Sequence, residues 1–164
     1  MTKISFLIVE DKEKFTINTE LSKLIGEEKT LYTKQTTFFK ILFNKQVIGY
    51  SKIVEVDYDL LYNILEDIER EDLLLILNLT DKEFNVGDTI IWGNGLFLEK
   101  EFRGLGIGTF TTTYKEKYFI KKHTNKIFFI SLAFINNTIN YQNLGYLTDI
   151  IEEIPNHKYI LKEI

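Results

Sequence analysis

The sequence predicts an α/β protein: one domain of 164 residues, built on a single mixed sheet with helices on both faces. Three observations predict it. Strand-length apolar runs and helix-period segments interleave in mixed order from one end to the other. A strand near 88–100 runs through a glycine-rich turn into a helix. The composition, 45% hydrophobic and 27% charged with thirteen Phe and nine Tyr, suffices for one aromatic-rich core.

The elements follow in order. "KISFLIVE" (3–10) has strand length and β-branched or aromatic content. "KFTINTELSKLIGEE" (14–28) reads as a helix with Leu21, Leu24 and Ile25 on one side and Gly26 as its stop. "TTFFKILFNKQVIGYSKIVEV" (36–56) reads as a hairpin turning at Asn44, Lys45 and Gln46. Residues 55–88 hold 11 of the 24 acidic residues, against Arg70 and Lys82 as the basic ones. Leu60, Leu61, Ile64, Leu65 and Ile68 keep helical spacing there, so this is an acidic amphipathic helix. "LLLILNL" (73–79) either continues that helix or packs as a separate buried piece, which periodicity alone does not decide.

"DTIIWGNGLFLEK" (88–100) is strand-like but interrupted by Gly-Asn-Gly, the mark of either a hairpin turn or a bulge. After the glycine-rich turn, Ile107, Phe110, Tyr114 and Tyr118 put 106–122 in a helix. "KIFFISLAF" (126–134) is a buried strand, and "NTINYQNLGY" (137–146) a short helix ending at Gly145. "YLTDIIEEI" and "HKYILKEI" close the chain as two strands around Pro155.

Composition narrows the function classes. The formal charge is −4 and the pI about 5.3, without the strongly basic character of a nucleic-acid binder, so no nucleic acid is expected as partner. The absence of cysteine excludes a disulfide scaffold, a thiolate metal site and a cysteine nucleophile. His123 and His157, far apart in sequence, do not suggest a metal centre and read as surface residues; no metal is expected. The N-terminal apolar run is shorter than a signal peptide's, and no window reaches membrane-span length, so no membrane partner and a cytoplasmic location are expected.

"EKEFRGLGIGTF" (99–110) carries three glycines in five residues and one of the two arginines. The first N–H groups of a helix lack intrahelical partners, and the macrodipole adds roughly half a positive charge there. Glycines let an anion approach those groups without a Cβ between. The turn is not a Walker loop, because Gly108 is followed by Thr109 and Phe110 and not by Lys. Nor is it a dinucleotide fingerprint: the spacing is G-x-G-x-G, and 121–131 has no acid. Read alone, it is either an anion cradle or a tight structural turn.

"LFLEKEFRGLGIG" resembles the signature of the GCN5-related N-acetyltransferases, the GNAT superfamily: an apolar strand, a short link, then Arg/Gln-x-x-Gly-x-Gly/Ala opening a helix. Arg103, Gly106 and Gly108 match, with Leu98 five residues before the arginine. "YQNLGY" (141–146), 35 residues beyond Gly106, resembles the family's Tyr-x-x-x-Gly-Phe/Tyr segment. The resemblance covers 89–164 in motif and the first half in element order. It implies a mostly antiparallel twisted sheet of about seven strands, in a single domain spanning 1–164 with an acidic helical insert at about 57–88 between the third and fourth strands. It also implies one bulged strand at 88–100 in place of a hairpin.

The resemblance further implies acetyl-CoA as acyl donor and an amine as acceptor. Leu96, Phe97 and Leu98 would offer backbone to pantetheine; Arg103, Gly104, Leu105, Gly106, Ile107, Gly108 and Thr109 would cradle the diphosphate. Tyr141 falls where many members place the acid that protonates the departing thiolate. Glu99 is a candidate base. The family's frequent asparagine seven residues before that tyrosine is Phe134 here; Asn136 or Asn137 takes its cofactor-contact role only if the helix starts later, and Asn137 is the one carried as a candidate. The implied function is N-acetyl transfer to a primary amine of a small molecule or peptide. The alternative is a non-catalytic acyl-CoA-binding sensor. For the insert three readings stand: Glu66, Asp67, Glu69, Glu71 and Asp72 attracting a cationic acceptor, a solvated helix face, or an apolar side that contacts a second copy in a homodimer.

Overall fold

The computed structural model describes residues 3–26, 31–80, 83–123 and 126–164. The elements are β1 (Ile4–Ile8), α1 (Asp11–Ile25), β2 (Thr36–Phe43), β3 (Gln46–Asp57), α2 (Tyr58–Asp67), α3 (Glu71–Thr80), β4 (Thr89–Leu98), α4 (Ile107–Lys122), β5 (Ile127–Phe134), α5 (Thr138–Asn143), β6 (Leu147–Ile150) and β7 (His157–Glu163). The strands form one seven-stranded sheet in the order β1-β2-β3-β4-β5-β7-β6. Every neighbouring pair is antiparallel except β4 and β5.

Strand alternation sorts the core into two faces. Trp92, Phe128 and Ile130 point to one side and pack with Leu61, Leu65, Leu73 and Ile76 of α2 and α3. Ile91, Phe129 and Ile160 point to the other and pack with Phe119 of α4 and Tyr146. Helix α1 covers Phe38 through Ile17 and Leu21, on the opposite side of β2 from Phe39, which belongs to the α4 face. Helices therefore lie on both faces.

Several expectations are refined. The β2–β3 turn has two residues, Asn44 and Lys45, both at positive φ (47° and 71°), as a type I′ hairpin requires; Gln46 already belongs to β3. Helix α1 begins at Asp11, earlier than apolar spacing indicated, because Asp11 and Glu13 suit a helix N-terminus without adding to the apolar stripe. Its C-terminus is Gly26 in the left-handed region, and the expected extension over 27–28 lies outside the described residues. The strand expected over 146–154 is only four residues long, Leu147–Ile150, and a turn follows.

The insert is two helices, separated at Ile68–Arg70 where Glu69 takes φ 55°. Leu61, Leu65, Leu73, Ile76 and Leu77 are all buried against their own sheet. The apolar side suggested as a homodimer contact is thus mostly spent inside the chain, with Leu60 and Leu79 left exposed. Fully burying one such leucine contributes about 1.5–3 kcal/mol. Leu65→Ala is therefore expected to cost about 2–5 kcal/mol, read as a lower urea midpoint at unchanged slope. A loss under about 0.5 kcal/mol would show the insert to be an appendage, not part of the core.

Candidate functional site

The site begins where β4 leaves β5. Their parallel pairing runs from Thr89↔Ile127 to Gly93↔Ser131 and stops. On its other side β4 stays with β3 to Leu98, but with a change of register: Ser51 and Ile53 are two residues apart, while their partners Leu96 and Gly93 are three apart. β4 thus carries one extra residue, a bulge within the Gly-Asn-Gly segment. Gly95 sits there at φ 131°, a conformation open to glycine, and a Cβ on it would press on Leu21 Cδ2 at 3.2 Å. The Ser131 hydroxyl donates to the Gly93 carbonyl and clips the strands together at the point of parting. Of the two readings of the segment, the bulge is the one formed.

Beyond β4 the chain turns through Lys100–Phe102. Arg103 Nε donates to the Leu98 carbonyl at 2.8 Å, and its guanidinium lies over the Phe97 ring. Gly104 and Gly106 follow at φ 73° and 81°. Ile107 then anchors the start of α4 against Ile41, Ile48, Leu96 and Leu98. No side chain caps α4 at its N-cap, Gly106. A Cβ at Gly104 or Gly106 would meet nothing within 4 Å. The turn into α4 therefore presents side-chain-free backbone with open space beside Gly104 and Gly106, which fits a bound diphosphate.

These groups line a cavity of about 360 Å³, with Leu96, Leu98, Arg103, Gly104, Gly106, Ile107, Gly108, Thr109, Asn137 and Tyr141 in its wall. Sequence reasoning named all ten. It missed Asn140 and Leu144, which complete the α5 wall. Three named residues lie elsewhere. Phe97 alternates to the opposite face of β4 and packs with the α1 cluster, so only its backbone is offered to the cleft. Leu105 projects outward and is exposed. Glu99 lines neither this cavity nor the one described next; its N–H donates to the Ile48 carbonyl.

Tyr141 is half-buried, edge-on to Tyr146 with ring centroids 5.5 Å apart. Burial raises its pKa, partly offset by a side-chain hydrogen bond with Thr112. The hydroxyl therefore keeps its proton at neutral pH. Tyr146 donates to Glu116 Oε1 at 2.6 Å, and Lys162 Nζ binds the same carboxylate and the Leu144 carbonyl. Burial and the adjoining carboxylate push the Tyr146 hydroxyl pKa up.

A second cavity, of about 590 Å³, shares Leu96, Arg103, Asn137 and Tyr141 with the first and continues through the parted strands. Phe129 and Lys115 line it from the α4 face; Trp92, Leu73 and Arg70 line it from the insert face. Phe134 and His157 are also in its wall, their rings 4.3 Å apart. His157 Nδ1 lies 2.9 Å from the Pro155 carbonyl. A carbonyl only accepts, so Nδ1 carries the hydrogen. Lys115 is 4% exposed; its Nζ donates to Ser51 Oγ at 2.9 Å and faces the Phe129 ring. Burial pulls its pKa down to about 8.

Sequence reading missed Arg70, Lys115 and His157. Lys115 had a signal: Ile107, Thr111, Lys115 and Phe119 recur every fourth residue, placing a lysine on a buried stripe. The described acids of the insert do not line the cavity; of its described charged residues only Arg70 does, held by Asp72 through Nε at 2.9 Å and a terminal nitrogen at 2.8 Å. His123 pairs with Glu55 at 2.7 Å, away from both cavities. Among the described residues no cluster of three or more His, Asp or Glu is arranged to hold a metal, and no helix is long and apolar enough to cross a membrane.

No family model and no curated protein matches the chain by sequence. Solved structures do match it in shape. A mosquito arylalkylamine N-acetyltransferase like 5b superposes with a TM-score of 0.63 at 11% identity, covering 99% of this chain and 100% of its own. A Drosophila melanogaster polyamine N-acetyltransferase gives 0.60 at 12%, with the same coverage. Arabidopsis thaliana NAA60, solved in complex with acetyl-CoA, gives 0.59 at 11%, covering 99% of each chain. The chain has the GNAT fold.

Lys115 has a stability signature. Between pH 8 and 10.5 it binds fewer protons folded than unfolded, so its contribution to stability rises with pH across that window. Below pH 8 both states are protonated and the buried charge weighs in full. The stability of Lys115→Met relative to the parent is therefore expected to be highest below pH 8. It should fall by about 3 kcal/mol by pH 10.5, measured by urea titration at each pH. A pH-independent difference would show that the ammonium is hydrated.

Proposed function

We propose that the protein is an N-acetyltransferase that moves the acetyl group of acetyl-CoA to a primary amine of a small molecule or peptide. The observation that supports this best is a continuity. The uncapped, glycine-bare start of α4 and the Tyr141 hydroxyl line one cavity, which joins the second where β4 parts from β5. That spans what a thioester cofactor needs: an anion cradle, a strand edge for its arm, and a protonated acid at the far end. The mosquito and fruit-fly neighbours are named for acetyl transfer to amines, and NAA60 was solved with acetyl-CoA.

The chain's own groups divide the work. Gly104, Gly106 and the first amides of α4 bind the diphosphate, and Arg103 braces the loop to the end of β4. Leu96, Leu98 and Ile107 form the apolar floor beneath it. Acetyl-CoA supplies the thioester, a carbonyl activated toward direct attack by an amine. Tyr141 holds a proton at its hydroxyl oxygen, kept there by burial, for release to the departing sulfur. The attacking amine must be neutral. Among the described residues no carboxylate lines either cavity, so His157, whose Nδ1–H is committed to Pro155, is a side chain that offers a lone pair, at Nε2.

The same absence of a carboxylate is what favours the second reading, a sensor that binds acyl-CoA without turnover. Release of free coenzyme A with a panel of amines separates the two. Tyr141→Phe is expected to lower kcat by about 10²–10⁴-fold and to leave coenzyme A affinity, by calorimetry, unchanged within about twofold. Equal rates in the two proteins would remove Tyr141 as the acid.

A further inference from the structure

We infer that the acceptor amine carries an anionic group, and that Lys115 and Arg70 select it in the cleft beyond Tyr141. This rests on the acetyl-transfer reading above and names the class of its acceptor. It also replaces the cationic acceptor suggested by the acidity of the insert.

The charge of the cleft is inverted relative to the chain. The protein carries −4 overall, yet among the described residues the charged side chains lining the 590 Å³ cavity are Arg70, Arg103 and Lys115, with His157 beside them and no Asp or Glu. The described acids of the insert are absent from that wall. Arg103 stands at the seam with the diphosphate cradle, since it lines both cavities. Lys115 and Arg70 line only the second cavity, one from each face of the sheet. A ligand lying through the gap between β4 and β5 would have a cation on either side.

Lys115 is the more telling of the two. It is almost wholly buried, and its hydrogen-bond partner is the neutral hydroxyl of Ser51. The adjacent carboxylate, Glu116, is engaged by Tyr146 and Lys162. Burying an ammonium without a hydrogen-bonded carboxylate costs several kcal/mol. A cation kept in that state against the wall of a cavity is matched to negative charge that arrives with a ligand. With its pKa near 8 it stays largely protonated at neutral pH. Arg70 differs in that its guanidinium is clamped in a two-pronged contact with Asp72, which fixes its direction at the cleft wall.

The remaining lining sets the body of the acceptor. Trp92, Phe129 and Phe134 bring three aromatic rings to the cavity, and Leu73 and Leu132 add aliphatic surface. An amine with an apolar or aromatic side group and a carboxylate fits this wall, as an amino acid of the phenylalanine type does. A phosphate-bearing amine shares the same chemistry.

Calorimetry tests this in two steps. Coenzyme A is titrated first; absence of binding would remove the acetyl-transfer reading, and the inference with it. The coenzyme-A-saturated protein is then titrated with N-acetylphenylalanine, its phosphonate counterpart and neutral N-acetylphenethylamine. The anionic products are expected to bind at least about tenfold tighter than the neutral amide, and the order of carboxylate and phosphonate names the anion. Lys115→Met and Arg70→Gln are each expected to shrink that ratio to within about threefold while coenzyme A affinity holds. If the neutral amide binds as tightly as the acids, or if none of the three binds to coenzyme-A-loaded protein, the inference is overturned and the acetyl-transfer reading stands.

Discussion

One extra residue in β4 organises this molecule. Without it, β4 would stay in register with β3 on one side and β5 on the other, and the sheet would be closed. The additional residue lies between Gly93 and Leu96. A bulge bends its strand and increases local twist. β4 accordingly keeps its partner on the β3 side and loses the one on the β5 side, where Gly93↔Ser131 is the last pair. The cleft through the sheet, the exposed strand edge and the position of the glycine loop beyond Leu98 all follow from that displacement. The Ser131 hydroxyl marks its limit, because it closes on the Gly93 carbonyl where pairing ends.

The second wall of the cleft depends on a buried polar network. Helix α5 has only six residues, too few to hold a position through its own hydrogen bonds. Its end is tied to the body by Tyr146, whose hydroxyl donates to Glu116 on α4, and by Lys162 on β7, which binds both Glu116 and the Leu144 carbonyl. Glu116 receives charge-assisted bonds from one side and a phenol from the other, so each buried polar group has a partner. Tyr141 rests edge-on against Tyr146 and within hydrogen-bond reach of Thr112. Tyr141 is thus located by α4, the same helix whose first turn follows the glycine loop.

Much of this was legible in residues, and what was not has a physical reason. Glycines at 104 and 106 announce positive φ, and Tyr141 and the residues of the loop lie together as the family resemblance implied. Local signals of this kind are carried by a few neighbours in the chain. Phe97 and Glu99 show the limit. Strand alternation turns the Phe97 side chain away from the cleft, and Glu99 falls past the end of β4. Arg70, Lys115 and His157 come from three separate parts of the chain, the α2–α3 break, α4 and β7, and nothing local to any one of them shows that they share a cavity. Lys115 alone had a sequence mark, its place on a buried helical stripe, but a helical wheel does not reveal that the surface beneath is a gap in the sheet.

The insert extends this division. Its charge count invites reading it as an acidic surface that draws in a cation, but charge counts ignore direction. Helical geometry sends Leu61, Leu65, Leu73, Ile76 and Leu77 into the core. The residue that reaches the cleft from between the two helices is a guanidinium. Arg70 stands at the break, its carbonyl accepting from the Leu73 and Leu74 amides as α3 begins. With Asp72 it forms a two-pronged ion pair whose side chains are 13% and 38% exposed, which holds the direction of the guanidinium. Burial of the apolar face fixes the insert to the sheet, and that in turn fixes which side chain stands in the cleft wall. The glycine loop and Tyr141 lie in the second half of the chain, in the part that carries the motifs. Arg70 and Leu73 of the cleft wall lie in the insert, in the part that carries none.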